Sequence, residues 1–143
     1  MKIFHFCCGK DSRGIRTDGI TKGVIPTVRR AEEHTKRKYN YVLIKGWQWL
    51  TLDGDHDRQS WATNELFKED RTEYRFTLEI PEKEADSLYD KARLLEVYPE
   101  AGPLFDGWDG SENWRVFRGN IPKYWIREVD RWNGSEWVPI PWR

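Results

Sequence analysis

The sequence predicts a single α+β domain. Three observations carry that reading: nine tryptophans within an aromatic fraction of 15%, a sharply alternating segment at residues 72–80, and several short strand candidates without regular strand–helix–strand alternation. At 143 residues the chain fits one unit, since domains most often run to about 100–150 residues. No Pro/Gly/Ser-rich linker divides it, so residues 1–143 are read as one domain. With a hydrophobic fraction of only 38%, the core depends on large rings more than on aliphatic side chains, and that ring content argues against disorder.

Taken in order, residues 2–8 place Ile3, Phe4 and Phe6 around His5 and read as a largely buried first strand. Asp11 or Ser12 can cap a short helix with Ile15 and Ile20 as its apolar positions, and Gly19 suits a left-handed exit. Residues 23–40 carry many charges and little periodicity, and read as a loop. Residues 41–44 and 47–52 are strand candidates separated by Gly46, and residues 57–67 have helix-compatible spacing with Trp61 and Leu66 on related faces. In residues 72–80, Tyr74, Phe76, Leu78 and Ile80 share one face while Glu73, Arg75, Thr77 and Glu79 share the other, the pattern of a sheet with one wet side. After Pro81, residues 82–98 bring Ala85, Leu88, Tyr89, Ala92 and Leu95 into helical steps and predict the main amphipathic helix. Residues 102–110 read as a loop, then 114–117 and 126–132 as strands joined by a turn at 119–123. Asn133-Gly134 signals a tight turn, and a four-residue loop at 133–136 sets Trp132 opposite Trp137 across a terminal hairpin.

Charge is balanced, 24 basic against 24 acidic residues, so the chain as a whole lacks the positive field that non-specific nucleic-acid or anionic-membrane binding needs. The densest basic run, residues 29–38, reads first as a solvated face. No apolar stretch approaches the roughly 20 residues needed to cross a bilayer, and residues 1–9 lack the apolar core of a secretory leader. The expectation is a cytoplasmic protein with no membrane partner. Its cysteines, the vicinal pair Cys7 and Cys8, point to opposite faces of a strand and are poorly placed for a disulfide.

Most catalytic motifs are missing. Asp53, Asp55 and Asp57 resemble the opening of a calcium loop, but Arg58 and Asn64 stand where that loop needs Gly and Glu. His5, His34 and His56 lack zinc spacing, so no metal is expected. Neither a Gly-rich phosphate loop nor a nucleophile elbow occurs. A Cys7 nucleophile would have His5 two positions away on the same strand face, although two such groups in a buried strand also read as core.

What remains is a distributed set. Ile3-Phe4-His5-Phe6 followed by a short helix ending in Asp18-Gly19-Ile20 resembles the opening of the ADP-ribosyltransferase fold, the superfamily that includes the RNA 2′-phosphotransferases. The segment 47–62 (WQWLTLDGDHDRQSWA) is similar to that family's second block, a strand followed by a helix start carrying Ser and an aromatic residue, and 111–121 (SENWRVFRGNI) to its third, a Glu before a strand. The resemblance implies a mostly antiparallel split sheet with a few short helices, NAD as substrate, and transfer of ADP-ribose to an unidentified macromolecular acceptor, protein or nucleic acid. It assigns His5 to a ribose hydroxyl and Glu112 to polarising the ribose and stabilising the oxocarbenium ion. Trp61 is assigned to stacking on nicotinamide, with Trp49, Thr51, Ser60 and Arg71 completing the NAD site, and Arg71 or Arg58 to gripping phosphate.

Two features leave alternatives open. The family's small residue after His is Phe6 here, which fits a degenerate transferase-like scaffold, of the kind a mobile element encodes, that blocks a host factor. The crowding of Trp108, Trp114, Trp125, Trp132, Trp137 and Trp142 toward the C-terminus fits a non-catalytic binding module for a protein or single-stranded nucleic acid. Each site residue also has a plainer role: His5 and Trp61 as core, Thr51 and Ser60 as strand-end and cap residues, Arg71 and Arg58 as ion-pair partners, and Glu112 as a solvated loop residue.

Overall fold

A computed structural model describes residues 1–30, 39–59 and 70–142. Nine strands and two α-helices make a mixed α+β fold in which every strand pair is antiparallel among the described residues. The strands are β1 (Lys2–Cys7), β2 (Val24–Arg30), β3 (Tyr39–Lys45), β4 (Trp47–Thr51), β5 (Tyr74–Glu79), β6 (Leu88–Tyr89), β7 (Trp114–Arg118), β8 (Ile126–Trp132) and β9 (Trp137–Pro139). Seven of them form one sheet in the order β6-β7-β4-β1-β5-β8-β9, while β2 and β3 form a separate hairpin. The helices are α1 (Gly9–Asp18) and α2 (Lys91–Val97).

Period-two alternation sorts the sheet into two faces. Ile3, Leu50, Phe76, Leu78, Phe117, Ile126 and Val129 lie on one face and bury against Ile15 of α1, Ile20, Ile121 and Trp125. Trp47 and Val116 lie on the other, with Trp49 and Trp114 partly buried beside them, closed by Leu94 of α2, by Ala101 and Phe105 of a 3₁₀ segment (Pro99–Phe105), and by Ile25 of the hairpin. Full burial of each such side chain contributes roughly 1.5–3 kcal/mol.

The strand expected at 72–80 forms as β5, and its apolar face is as read. Its second face is only partly wet: Thr77 is buried and Arg75 is largely covered, because the loop at 53–59 and β9 fold over them. The four-residue loop at 133–136 forms too, with Trp132 paired to Trp137 and their rings 5.2 Å apart. Gly19 takes φ +82° and gives its N–H to Ile15, while Ile20 bridges to Ile121; a Cβ at Gly19 would run into the Ile121 carbonyl.

Other expectations fail for identifiable reasons. The loop expected at 23–40 contains β2, whose seven residues pair with β3 from Val24↔Lys45 to Arg30↔Tyr39. Helix α1 begins at Gly9 rather than at an Asp11 or Ser12 cap; Cys8 occupies the cap position without a side-chain capping bond, and Ser12 is fully buried, accepting from Arg16. The long helix expected at 82–98 is interrupted. Residues Glu82–Ser87 form a 3₁₀ segment, then Leu88 and Tyr89 pair with Phe117 and Val116 of β7, and Asp90 caps a new, shorter helix by accepting from the Arg93 N–H. Edge pairing with β7 outweighs the weak helix propensity of a polar segment. In the loop expected at 102–110, the Pro99–Phe105 3₁₀ segment supplies core. Of the helix expected at 57–67, only a 3₁₀ turn at His56–Arg58 lies within the described residues.

Buried Gln48 shows how the loops are fixed. Its Oε1 accepts from Gly23 N at 2.7 Å and its Nε2 donates to the Gly119 carbonyl at 3.1 Å, tying the entries to β2 and the exit from β7 to one strand.

Candidate functional site

The sheet is tight between β1 and β5, which share six Cα partners, and opens between β1 and β4, which share only Phe4↔Thr51. His5 sits at that opening. Its Nδ1 lies 2.8 Å from the Trp49 carbonyl, which can only accept, so Nδ1 carries the proton. Burial holds the imidazole below its ordinary pKa, opposed by the Trp49 bond and the Asp11 carboxylate and assisted by Arg71. The ring is therefore neutral near pH 7, and its Nε2 is an acceptor with no protein partner among the described residues.

Around the C-terminal end of β1, α1 and the chain entering β5 bring several polar groups together. Arg71 Nη1 stands 3.8 Å from Asp11 Oδ2, the Cys8 thiol donates to the same Oδ2 at 3.5 Å, and Gly9 N donates to Glu73 at 3.2 Å. Both members of the Arg71–Asp11 pair are close to half exposed, so this is a solvated pairing of small energy. Cys7 is buried, and burial pushes its thiol far above the usual range. It stays protonated, which leaves it without the thiolate that nucleophilic catalysis needs.

Of the sequence-predicted site, Arg71 lies within electrostatic reach of His5 and pairs with Asp11. Trp49 and Thr51 lie on the opposite face of the sheet. The Trp49 indole donates to the Val24 carbonyl at 2.8 Å and packs on Phe105 and Trp114, while Thr51 is buried with its hydroxyl accepting from Asp53 N. Glu112 is exposed in a 3₁₀ turn (Ser111–Asn113) at the start of β7, its carbonyl accepting from Arg115. Ser60 and Trp61 lie outside the described residues. Arg58 is held at 2.6 Å by Asp53 and 3.6 Å by Asp55, so its charge is already matched within the acidic run. That run is a set of Asx turns, Asp53 accepting from Asp55 N and Asp55 from Asp57 N. Phe6 projects to the face opposite His5 and packs 5.7 Å from Trp137, so its bulk does not stand over the imidazole.

Sequence reasoning missed a second polar cluster. Arg75 lies under Trp137 and Phe4, with ring distances of 4.7 and 5.4 Å, and donates to Asp130 at 2.9 Å and to the Gly54 carbonyl at 2.8 Å. His56 stacks on Trp132 at 3.8 Å, and its Nε2, like Trp137 Nε1, is buried without a hydrogen-bond partner among the described residues. The signal was present in part: Arg75 falls on the face of β5 read as wet, and Trp132 and Trp137 were already paired, but nothing local linked either to Gly54 or His56.

The chain matches no family model, no curated protein and no solved structure.

Proposed function

We propose that this is an ADP-ribosyltransferase-like protein that binds NAD at His5 and transfers ADP-ribose to a macromolecular acceptor. The observation that supports this reading most is the first-strand histidine: neutral, oriented by one backbone carbonyl, and set where β1 and β4 part, with Nε2 left to accept from a ribose hydroxyl. Arg71, whose charge acts on His5 and which pairs with Asp11, supplies a cation for the pyrophosphate. In the step itself the bond from ribose C1′ to the nicotinamide nitrogen breaks, nicotinamide leaves with the electron pair, an acceptor lone pair closes on C1′, and the acceptor proton passes to solvent. A carboxylate that offsets charge at C1′ lowers the barrier of such a dissociative step. That role falls to Glu112 by resemblance alone.

Isotope-labelled NAD incubated with protein and cell extract should label a macromolecule. Glu112→Gln should abolish labelling and His5→Ala should weaken NAD binding at least tenfold, read by calorimetry. Labelling that persists in Glu112→Gln removes Glu112 from the mechanism, and NAD binding indifferent to His5→Ala removes the site.

A further inference from the structure

Between the last turn of α1 and the 3₁₀ turn Lys123–Trp125 lies an open depression of about 340 Å³ lined by Arg16, Lys123, Tyr124 and Trp142. That volume is at the small end of the roughly 300–1,000 Å³ typical of small-ligand sites. Among the described residues, two of the four that line it are cationic, two are aromatic, and none is a carboxylate. Arg16 spends Nε and Nη2 on a single neutral acceptor, the Ser12 hydroxyl, at 3.1 and 2.9 Å, and forms no ion pair among the described residues. Lys123 is exposed, and its ammonium makes no hydrogen bond or ion pair among them. Arg16 also lies over the Tyr74 ring at 5.8 Å, and in a chain with zero net charge two cations without an ion pair among the described residues form a local positive field.

The aromatic half is presented on a fixed base. Tyr124 is 69% exposed, yet it sits edge-on to buried Trp125 at 6.3 Å, and its carbonyl accepts from Arg127 at 3.2 Å. Trp142 packs against the core cluster beneath α1. Holding a large ring in water costs hydrophobic free energy, which a planar ligand would recover. Arg16 lies at the C-terminal end of α1, where the helix dipole offsets part of its charge, so Lys123 carries the larger share of any attraction to an anion.

We infer that this depression binds a nucleotide unit, the phosphate held by Lys123 and Arg16 and the base stacked on the rings of Tyr124 and Trp142. A sugar offers no charge for the cations, and an acidic peptide offers no plane for the rings; a nucleotide offers both. The unit can come from a free mononucleotide or from a single strand. The inference goes beyond the NAD reading, since none of its four residues belongs to the His5 site.

The test is fluorescence anisotropy of a labelled ten-nucleotide single-stranded RNA, with AMP and a ten-residue poly-glutamate as competitors and no NAD present. Binding should weaken at least tenfold in Tyr124→Ala and in Lys123→Glu, persist in Tyr124→Phe and Lys123→Arg, and be unchanged in His5→Ala. All the substituted positions but His5 are exposed, and circular dichroism checks the fold of each variant. Two phosphate contacts predict a slope of log K against log salt of about −1.4, falling by about 0.7 when Lys123 is lost. AMP competing as well as the RNA identifies the free nucleotide as the source; RNA binding that AMP fails to displace identifies the strand. Binding of neither ligand, displacement by poly-glutamate equal to that by AMP, or indifference to both disruptive variants overturns the inference. A failure of NAD binding leaves it standing.

Discussion

One face of the sheet is closed mostly by aliphatic side chains under α1, the other by aromatic rings and an ion pair. On the first, Ile3, Phe76, Leu78 and Val129 alternate along their strands and meet Ile15, Ile20 and Ile121. On the second, Trp47, Trp49 and Trp114 meet α2 and the Pro99–Phe105 segment, and farther along the same face Arg75 and Asp130 sit among Phe4, Trp132 and Trp137. An aliphatic layer needs only area to be stable, whereas the second face holds polar groups whose partners must all be in place. Its stability is therefore more concentrated in single side chains.

Asp130 tests that concentration most severely. It is buried, and Asp130→Asn strands the Arg75 guanidinium, which in turn holds the Gly54 carbonyl. The expected loss is about 3 kcal/mol, the low end for a broken buried pair because Arg75 keeps 20% of its surface exposed. Urea unfolding measures it, and replacing Arg75 and Asp130 together by Leu should cost less than the single change. A single-variant loss below about 1 kcal/mol would erase the distinction between the faces.

The tryptophans permit a finer version of the same comparison. Trp49 donates its indole N–H to Val24, whereas buried Trp137 Nε1 has no hydrogen-bond partner among the described residues. Trp→Phe at Trp49 strands a carbonyl and opens space, and should cost about 2–4 kcal/mol. At Trp137 the lost area is offset by removal of an unpaired donor, and a benzyl ring still faces Arg75, so the expected change is under about 1 kcal/mol. Thermal melts of the two variants check this, and equal losses would mean that hydrogen bonding does not separate the two regions.

These contrasts also explain what was legible in the sequence. The α1 face could be read in part because alternation in 72–80 is a local signal, and so was the Trp132–Trp137 register, fixed by Asn133-Gly134. The other face is assembled from Ile25, Leu94, Ala101 and Phe105, none of which shows its destination locally. The three- and four-residue spacing in 82–98 pointed to a continuous helix, because the sequence carries no mark that β7 will take Leu88 and Tyr89 as an edge strand. At the candidate site, His5 was visible as a polar residue in an apolar strand and Arg71 as a candidate phosphate ligand. That Arg71 acts on His5 depends on the pairing of β1 with β5, which no local spacing encodes. Trp49 and Thr51 entered the site through the resemblance of 47–62 to the family's second block, but the pleat sends them to the other face.

His5 gives the smallest expected effect and the one that bears most directly on function. Its pKa is lowered in the fold, chiefly by burial, so the unfolded chain takes up a proton near the ordinary value of 6.5 before the folded protein does. Between that value and the lower folded pKa the unfolded state binds more protons, and stability falls as pH falls; above 6.5 the contribution is flat. The slope cannot exceed one proton, about 1.4 kcal/mol per pH unit. Asn at position 5 keeps an amide N–H where Nδ1 donates to Trp49 but cannot titrate. Comparing the wild type with His5→Asn from pH 7.5 to 5.5 therefore isolates the contribution of the ring at position 5. Glu79, also lowered, by its bond to the N-terminal ammonium, titrates below its ordinary 4.5 and outside this range. The wild type should lose stability relative to His5→Asn as the solution is acidified. Parallel curves would mean that His5 accepts a proton as readily folded as unfolded. A ring protonated that easily is not the neutral acceptor that a ribose hydroxyl requires, and the NAD site would lose its centre.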